Sequence, residues 1–273
     1  MNTYRNLEDI QRKEQRGRRL SMAGLGVLMV GLLASFVPTW LPPDQPATTT
    51  VTQFLQQHWM WISFIALPIG FVFASIGSYY INRFARRRWQ GTKVIARPDE
   101  MLERSLKGFD NKYGYFAWSL PANYALAGPC GVIVFATRSD KGRVTVEGDR
   151  WREPFSFGRI FTVFAREGLG NPSKEVEQQA DKIREILSHC DGGNMAAGEG
   201  QDTSAFSDIP ISVAAVFLNP EVNLTVENPT IPVLRADQVK EFVRRQARDS
   251  KLAANTVRSL TECLVQSADF DAE

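Results

Sequence analysis

The sequence predicts an α/β domain, a mixed sheet flanked by helices, preceded by a transmembrane helical hairpin. Two uncharged runs, residues 20–41 and 59–81, predict the hairpin. Beyond residue 97, helix-like and strand-like apolar segments follow one another and predict the domain. The charge is split to match. Residues 1–94 carry eleven Lys and Arg against four Asp and Glu, whereas residues 95–273 carry 21 against 26. The basic excess thus surrounds the apolar runs, and the domain itself is mildly acidic. That argues against a nucleic-acid reading of the pI near 8.4.

At about 1.5 Å rise per residue, each run is long enough for a hydrocarbon core of about 30 Å. Arg12, Lys13, Arg16, Arg18 and Arg19 precede the first run; Arg83, Arg86, Arg87, Arg88 and Lys93 follow the second. The loop 42–58 has no Lys or Arg and carries Asp44. Lys and Arg accumulate on the cytoplasmic side, so both termini and the domain are expected there, in a cell inner or plasma membrane. Trp40, Trp59 and Trp61 would line the outer interface, and Tyr79, Tyr80 and Trp89 the inner one. The first run is too long for the core of a cleaved signal. Pro68 is expected to kink the second helix. Gly24 and Gly31, with Gly70 and Ala74, offer small positions for close packing. Neither span contains a charge, so no transport path is indicated, and the hairpin reads as an anchor.

The segment 1–19 reads as a basic cytoplasmic terminus and 82–97 as a basic juxtamembrane linker. Pro98, Asp99 and Glu100 open a helix, since proline and acids suit a first turn. Residues 113–120 and 124–127 read as strands, ended by the turn Gly128-Pro129-Cys130-Gly131. The unbroken apolar run 132–137 reads as a buried central strand. Lys141-Gly142 is read as a hairpin turn into a strand 143–146, and the Trp151 region continues the sheet. A second helix starts at Asn171-Pro172-Ser173 and runs to about residue 188. The Gly- and Asp-rich stretch 191–208 reads as a mobile loop. Residues 211–218 form another buried strand, followed by strands 222–226 and 231–234. Asp237 is expected to cap a helix to about residue 248. The remaining 249–273 supply a last helix and an acidic, frayed tail.

Cys130, Cys190 and Cys263 are three, widely spaced and without a CxxC pair, and read as reduced thiols. His58 and His189 are the only histidines, too few for a zinc site or a catalytic triad of the usual kind.

The order of elements over roughly 98–245, the string from Asn123 through Gly128-Pro129-Cys130-Gly131 to Arg138, the Asn171-Pro172 helix with Gln178 and Gln179, and the late strand from Val213 to Leu218 carry a resemblance. This part of the chain, within a domain 98–248, resembles the NERD domain, the nuclease-related domain of the PD-(D/E)XK superfamily. The resemblance implies a restriction-endonuclease-like sheet and a site where Asp, Glu and Lys gather around Mg²⁺. Here Asn123 stands at the Asp position, Ala136 at the Glu position and Arg138 at the Lys position; Glu100 is the surviving helix acid. The family's helix glutamine falls on Glu175, with Gln178 or Gln179 as substitutes in an open register. Mg²⁺ usually binds through one or two carboxylates, so this degenerate set implies no cofactor and no catalysis.

The expected function is that of a membrane-anchored, inactive nuclease-like module acting by interaction with a protein partner or a second copy. An active nuclease would need Mg²⁺ on relocated carboxylates, with Asp140, Glu147 and Asp149 as candidates. A membrane-organising oligomer built through the hairpin's small-residue faces is the third reading. Nucleic acid is a weaker partner, through phosphate contacts from Arg138, Lys141, Arg143, Arg150 and Arg152.

Overall fold

The computed structural model describes residues 1–42, 49–88, 94–154, 169–192 and 206–269. Contacts divide the chain into two units. Among the described residues, one is helical, within 11–85; the other is α/β, within 1–10, 86–154 and 169–269.

The helical unit is an antiparallel pair. Helix α1 (Leu7–Ser35) and helix α3 (Thr50–Phe84) are both long and apolar enough to cross a membrane. A short turn of helix α2 (Val37–Trp40) lies between them. Both long helices start well before the uncharged runs. Asn6 Oδ1 accepts the Asp9 amide at 2.7 Å and caps α1, and the Arg, Lys, Glu and Gln that follow are good helix formers. Thr49 and Thr52 cap α3 reciprocally. The expected external loop 42–58 is thus helical from Thr50 onward, and residues 43–48 lie outside the described set. Helix α3 runs unbroken through Pro68.

Gly17, Gly24 and Gly31 recur every seventh residue on α1, and Ser63, Gly70, Gly77 and Phe84 do so on α3. All seven are buried. A Cβ on Gly24 would stand 2.8 Å from Gly70 O, and one on Gly77 2.7 Å from Ser21 Cα. Ser63 Oγ donates to Gly31 O at 3.0 Å. A seven-residue repeat of small residues lets the backbones touch along one seam. Away from the seam, large apolar side chains such as Met22, Leu25 and Phe64 stay more than half exposed. Such a surface suits lipid rather than water.

The α/β unit is a mixed six-stranded sheet covered on both faces. In order across the sheet, the strands are β1 (Asn2–Arg5), β4 (Gly114–Ala117), β5 (Tyr124–Gly128), β6 (Gly131–Arg138), β9 (Ile211–Phe217) and β11 (Val233–Arg235). β4, β5 and β6 form an antiparallel meander; β9 runs parallel to β6, β11 to β9, and β1 to β4. Alternation along β6 sends Val132, Val134 and Ala136 to one face and Ile133 and Phe135 to the other. The first face packs on helices α5 (Pro172–Gly192) and α7 (Ala254–Gln266). The second packs on α4 (Pro98–Ser105) and α6 (Val239–Ser250). A separate three-stranded sheet joins β10 (Val222–Glu227), β7 (Gly142–Glu147) and β8 (Arg150–Arg152).

Several expectations are corrected. The terminus 1–19 is not a plain basic arm: Asn2–Arg5 is an edge strand paired with β4, and Tyr4 stacks on its cross-strand neighbour Phe116 at 4.8 Å. Residues 82–97 contain a small ribbon, β2 (Arg87–Arg88) against β3 (Val94–Ile95). Lys141-Gly142 is not a hairpin turn. β7 leaves the main sheet and pairs with β10 and β8 instead, so the Trp151 region belongs to the small sheet. The two late strands lie in different sheets, since β10 joins β7 while β11 joins β9. Gln238, not Asp237, precedes α6, and its Oε1 accepts the Arg235 amide at 2.9 Å. α5 extends to Gly192 and a 3₁₀ turn occupies Phe206–Asp208; the rest of the expected loop, 193–205, lies outside the described residues.

The thiol reading is also overturned. Cys190, at the end of α5, is bonded to Cys263 in α7, 73 residues later. No local spacing announces this pair; the packing of two distant helices on one sheet face makes it. Cys130 is free and buried, and burial pushes its thiol up to about 12.

Candidate functional site around Arg138 and Glu175

Ala125 pairs with Val134 across β5 and β6, so the same register carried two residues further sets Asn123, just before β5, opposite Ala136. Arg138 lies two residues on from Ala136, on the same face of β6. Asn123, Ala136 and Arg138 therefore meet under helix α5. The helix contributes Glu175 and Gln179, one turn apart and facing the sheet.

The side chains form one closed network. Arg138 is 4% exposed. Its Nη2 donates to Glu175 Oε2 at 2.5 Å, its Nε to Leu169 O at 3.0 Å and its Nη1 to Thr137 O at 2.9 Å. Glu175 Oε1 accepts from Gln179 Nε2 at 3.2 Å and from Asn123 Nδ2 at 3.4 Å. Gln179 Oε1 accepts the Asn123 amide at 3.0 Å. Of the two glutamines, Gln179 is the one that joins this network.

The chemistry of this set is narrow. A guanidinium stays protonated and cannot serve as a base. Among the described residues, Glu175 is the one carboxylate in the network, and it is engaged by Arg138. Ala136 offers no donor atom. A hard divalent cation needs several oxygens, and a buried arginine opposes it by charge. Among the described residues, no three His, Cys, Asp or Glu side chains gather in metal-ligand reach.

Glu100 lies in a different cluster, at the start of α4. Its Oε2 accepts the Arg97 amide at 3.2 Å and its Oε1 the Arg86 Nε at 2.7 Å. Burial favours the protonated acid, but these hydrogen bonds and the charges of Arg97 and Arg86 prevail and hold the carboxyl below the usual range. Beside it, Asp99 is 1% exposed and takes two bonds from Arg97, at 3.1 and 3.2 Å. Arg5 reaches both Asp99 and Glu103. Glu100 is therefore a cap and an ion-pair partner for the segments flanking the hairpin. No hydrogen bond or ion pair of the described residues joins it to Asn123.

The other candidates are dispersed. Asp149 Oδ2 accepts from Asn171 Nδ2 at 3.2 Å, and Asn171 in turn caps α5 through the Lys174 amide. Glu147 is exposed on β7. Of the basic residues, Arg138 is unavailable to a phosphate, being buried, and Lys141 is paired with Glu221 at 3.0 Å. Val144 and Val146 face inward, which turns Arg143 outward on β7; Arg150 and Arg152 are likewise exposed on β8, beside Glu147.

Sequence reasoning missed Glu175 as the partner of Arg138 and the whole Arg5–Arg97–Asp99 cluster. One signal was present: a charged residue ending an apolar central strand must find a counter-charge. No protein-family model, curated protein or solved structure matches the chain.

Proposed function

We propose that this chain is a membrane-anchored, nuclease-related module of the NERD kind that no longer cleaves nucleic acid and acts by association. The domain lies on the cytoplasmic side. The element order helix, antiparallel meander, helix, parallel strand supports the restriction-endonuclease-like reading. The observation that carries the loss of catalysis is the Arg138–Glu175 ion pair beside Ala136. An amide and a methyl group, Asn123 and Ala136, stand where the resemblance implies carboxylates, and the guanidinium at the Lys position engages Glu175. The basic flanks of the two apolar helices support the sidedness.

The test uses the full chain in detergent. Titration with Mg²⁺ or Mn²⁺ is expected to give no binding heat, and single-stranded and duplex DNA and RNA are expected to survive incubation with either ion. Metal-dependent cleavage that Glu175→Gln abolishes would sink the reading.

A further inference from the structure

The Cys190–Cys263 bond conflicts with the cytoplasmic placement proposed above, because protein disulfides in that compartment are usually transient. The surroundings of the two sulfurs resolve the conflict. Cys263 is 1% exposed, inside the cluster with Leu260 and Leu264, whereas Cys190 is half-buried at the last turn of α5. Cys190 is thus the more accessible of the two residues, and Cys263 the sheltered one. After release, Cys263 remains a small apolar side chain within its own cluster, where a free thiol is well tolerated.

The bond also sits at the root of a continuous path. From Cys263 the chain turns out of α7, with the Ser267 amide on Cys263 O at 3.1 Å. Two residues later the Asp269 amide donates to Ser119 O at 2.8 Å. Asp269 O accepts from Asn6 Nδ2 at 2.9 Å, and Asn6 is the residue that caps the first membrane helix. Ser119 Oγ closes the group on Tyr4 O at 3.2 Å, within the edge strand β1. The tail thus clasps the junction between β1 and α1, and its covalent tether is the disulfide on α5.

We infer that Cys190–Cys263 is a reversible latch, opened by low-molecular-weight thiols of the glutathione class, that sets how firmly the C-terminal tail grips the Asn6 junction. This inference rests on the cytoplasmic placement. In the opening step a thiolate attacks Cys190 Sγ, forms a mixed disulfide with it and expels the Cys263 thiolate, which takes a proton. A second thiol attacks the mixed disulfide, frees Cys190 and leaves as the oxidised dimer of the reductant. Two electrons pass from two small thiols to the protein. Closing reverses both steps with that dimer as oxidant. Cys130 takes no part, because it is buried.

The test holds the full chain in lipid nanodiscs across a series of reduced-to-oxidised glutathione ratios. Thiols are then counted by denaturing and labelling with a heavy maleimide, while hydrogen exchange is followed separately. The expected count rises from one label to three as the ratio becomes reducing, and from none to two in Cys130→Ser. Over the same range, exchange at Ser267, Asp269 and Asp9 is expected to quicken at least tenfold, and Cys190→Ser and Cys263→Ser are each expected to show the fast rate under every ratio. A count fixed at one, a count fixed at three, or a changing count with unchanged exchange each overturns the latch. Protease digestion of the α/β domain in sealed vesicles with the non-cytoplasmic face outward would instead overturn the placement, and with it the reductant, whatever the exchange result.

Discussion

Arg5 Nε lies 2.9 Å from Asp99 Oδ2, so the last residue of β1, ahead of the first membrane helix, meets the first turn of α4, which follows the second. The contact is coulombic, because the Nε–H is not aimed in hydrogen-bond geometry. The directed bond of Arg5 is Nη2 to Glu103 Oε2 at 2.8 Å. Arg97 completes the group from within the same turn as Asp99, and both are more than nine-tenths buried. Removing the acid from such a group leaves two cations facing each other out of water. Asp99→Asn is expected to destabilise the domain by about 3–5 kcal/mol, read as a loss of thermal stability in detergent. Arg5→Ala, at a more exposed position, should cost less.

The strand β1 makes a prediction about sidedness. Met1 donates its terminal ammonium to Phe109 O at 3.1 Å, and Asn2–Arg5 pair in register with Gly114–Ala117. A chain whose first residues are sewn into the domain sheet must keep both on one side of the membrane. Small tags at the two termini are expected to be protected together from an impermeant protease, with residues 43–48 cut from the opposite side. Protection of only one terminus would contradict the hairpin. Deleting residues 2–5 should also bare the β4 edge and raise aggregation, because an unpaired edge recruits other strands.

The two long apolar helices were readable in the sequence because length and absence of charge mark them. The central strands were readable because runs such as Val132 to Phe135 have no polar interruption. β1 was not, since four residues, Asn-Thr-Tyr-Arg, carry no apolar period and their partner lies far along the chain. The destination of β7 was hidden for a related reason. Its Arg143–Val146 alternation fits a strand in either sheet, and only tertiary packing of Val144 and Val146 with Phe217 and Val222 selects the smaller one. At the candidate site, Asn123, Ala136 and Arg138 were singled out by a resemblance, but Glu175 was read as a departure from a motif rather than as the counter-charge Arg138 requires.

The glycine seam separates positions that tolerate a side chain from those that do not. At Gly70 an added Cβ would meet Leu28 N at 2.7 Å, whereas at Gly26 it would meet nothing within 4 Å. Gly70→Leu is expected to part the helices and cost about 1–3 kcal/mol, seen as earlier thermal loss of helix in detergent. Gly26→Leu, outside the seam, should leave the melting curve unchanged.

Glu100 sets an acid limb. Its carboxyl binds its proton less tightly in the folded protein than in the unfolded chain. Its contribution is therefore whole above the ordinary glutamate value and disappears as pH falls through the lower folded one. Arg86→Gln removes a principal cause of that depression, so its acid-unfolding midpoint should move toward higher pH. In the Glu100→Gln background the same substitution should move it little, and an equal shift there would mean that Arg86 acts elsewhere.

The Arg138 network bears directly on the proposed loss of a metal, and the proposal can be run backwards. Glu175→Gln keeps the hydrogen bonds of Gln179 and Asn123 within reach but removes the charge that balances a guanidinium 4% exposed. It is expected to cost about 2–3 kcal/mol, because Glu175 itself is partly open to water. The triple change Asn123→Asp, Ala136→Glu and Arg138→Lys places two carboxylates opposite each other on β5 and β6, next to Glu175, and replaces the fixed fork by a flexible amine. That set supplies the oxygens a hard cation requires. Mn²⁺ titration of the triple variant is expected to show a binding isotherm absent from the parent chain. Restoring Arg138 alone in that variant should weaken it again, since the guanidinium recaptures Glu175. If the triple variant folds, as judged by an unchanged circular dichroism spectrum, and still binds no Mn²⁺, the ion pair is not what displaced the metal.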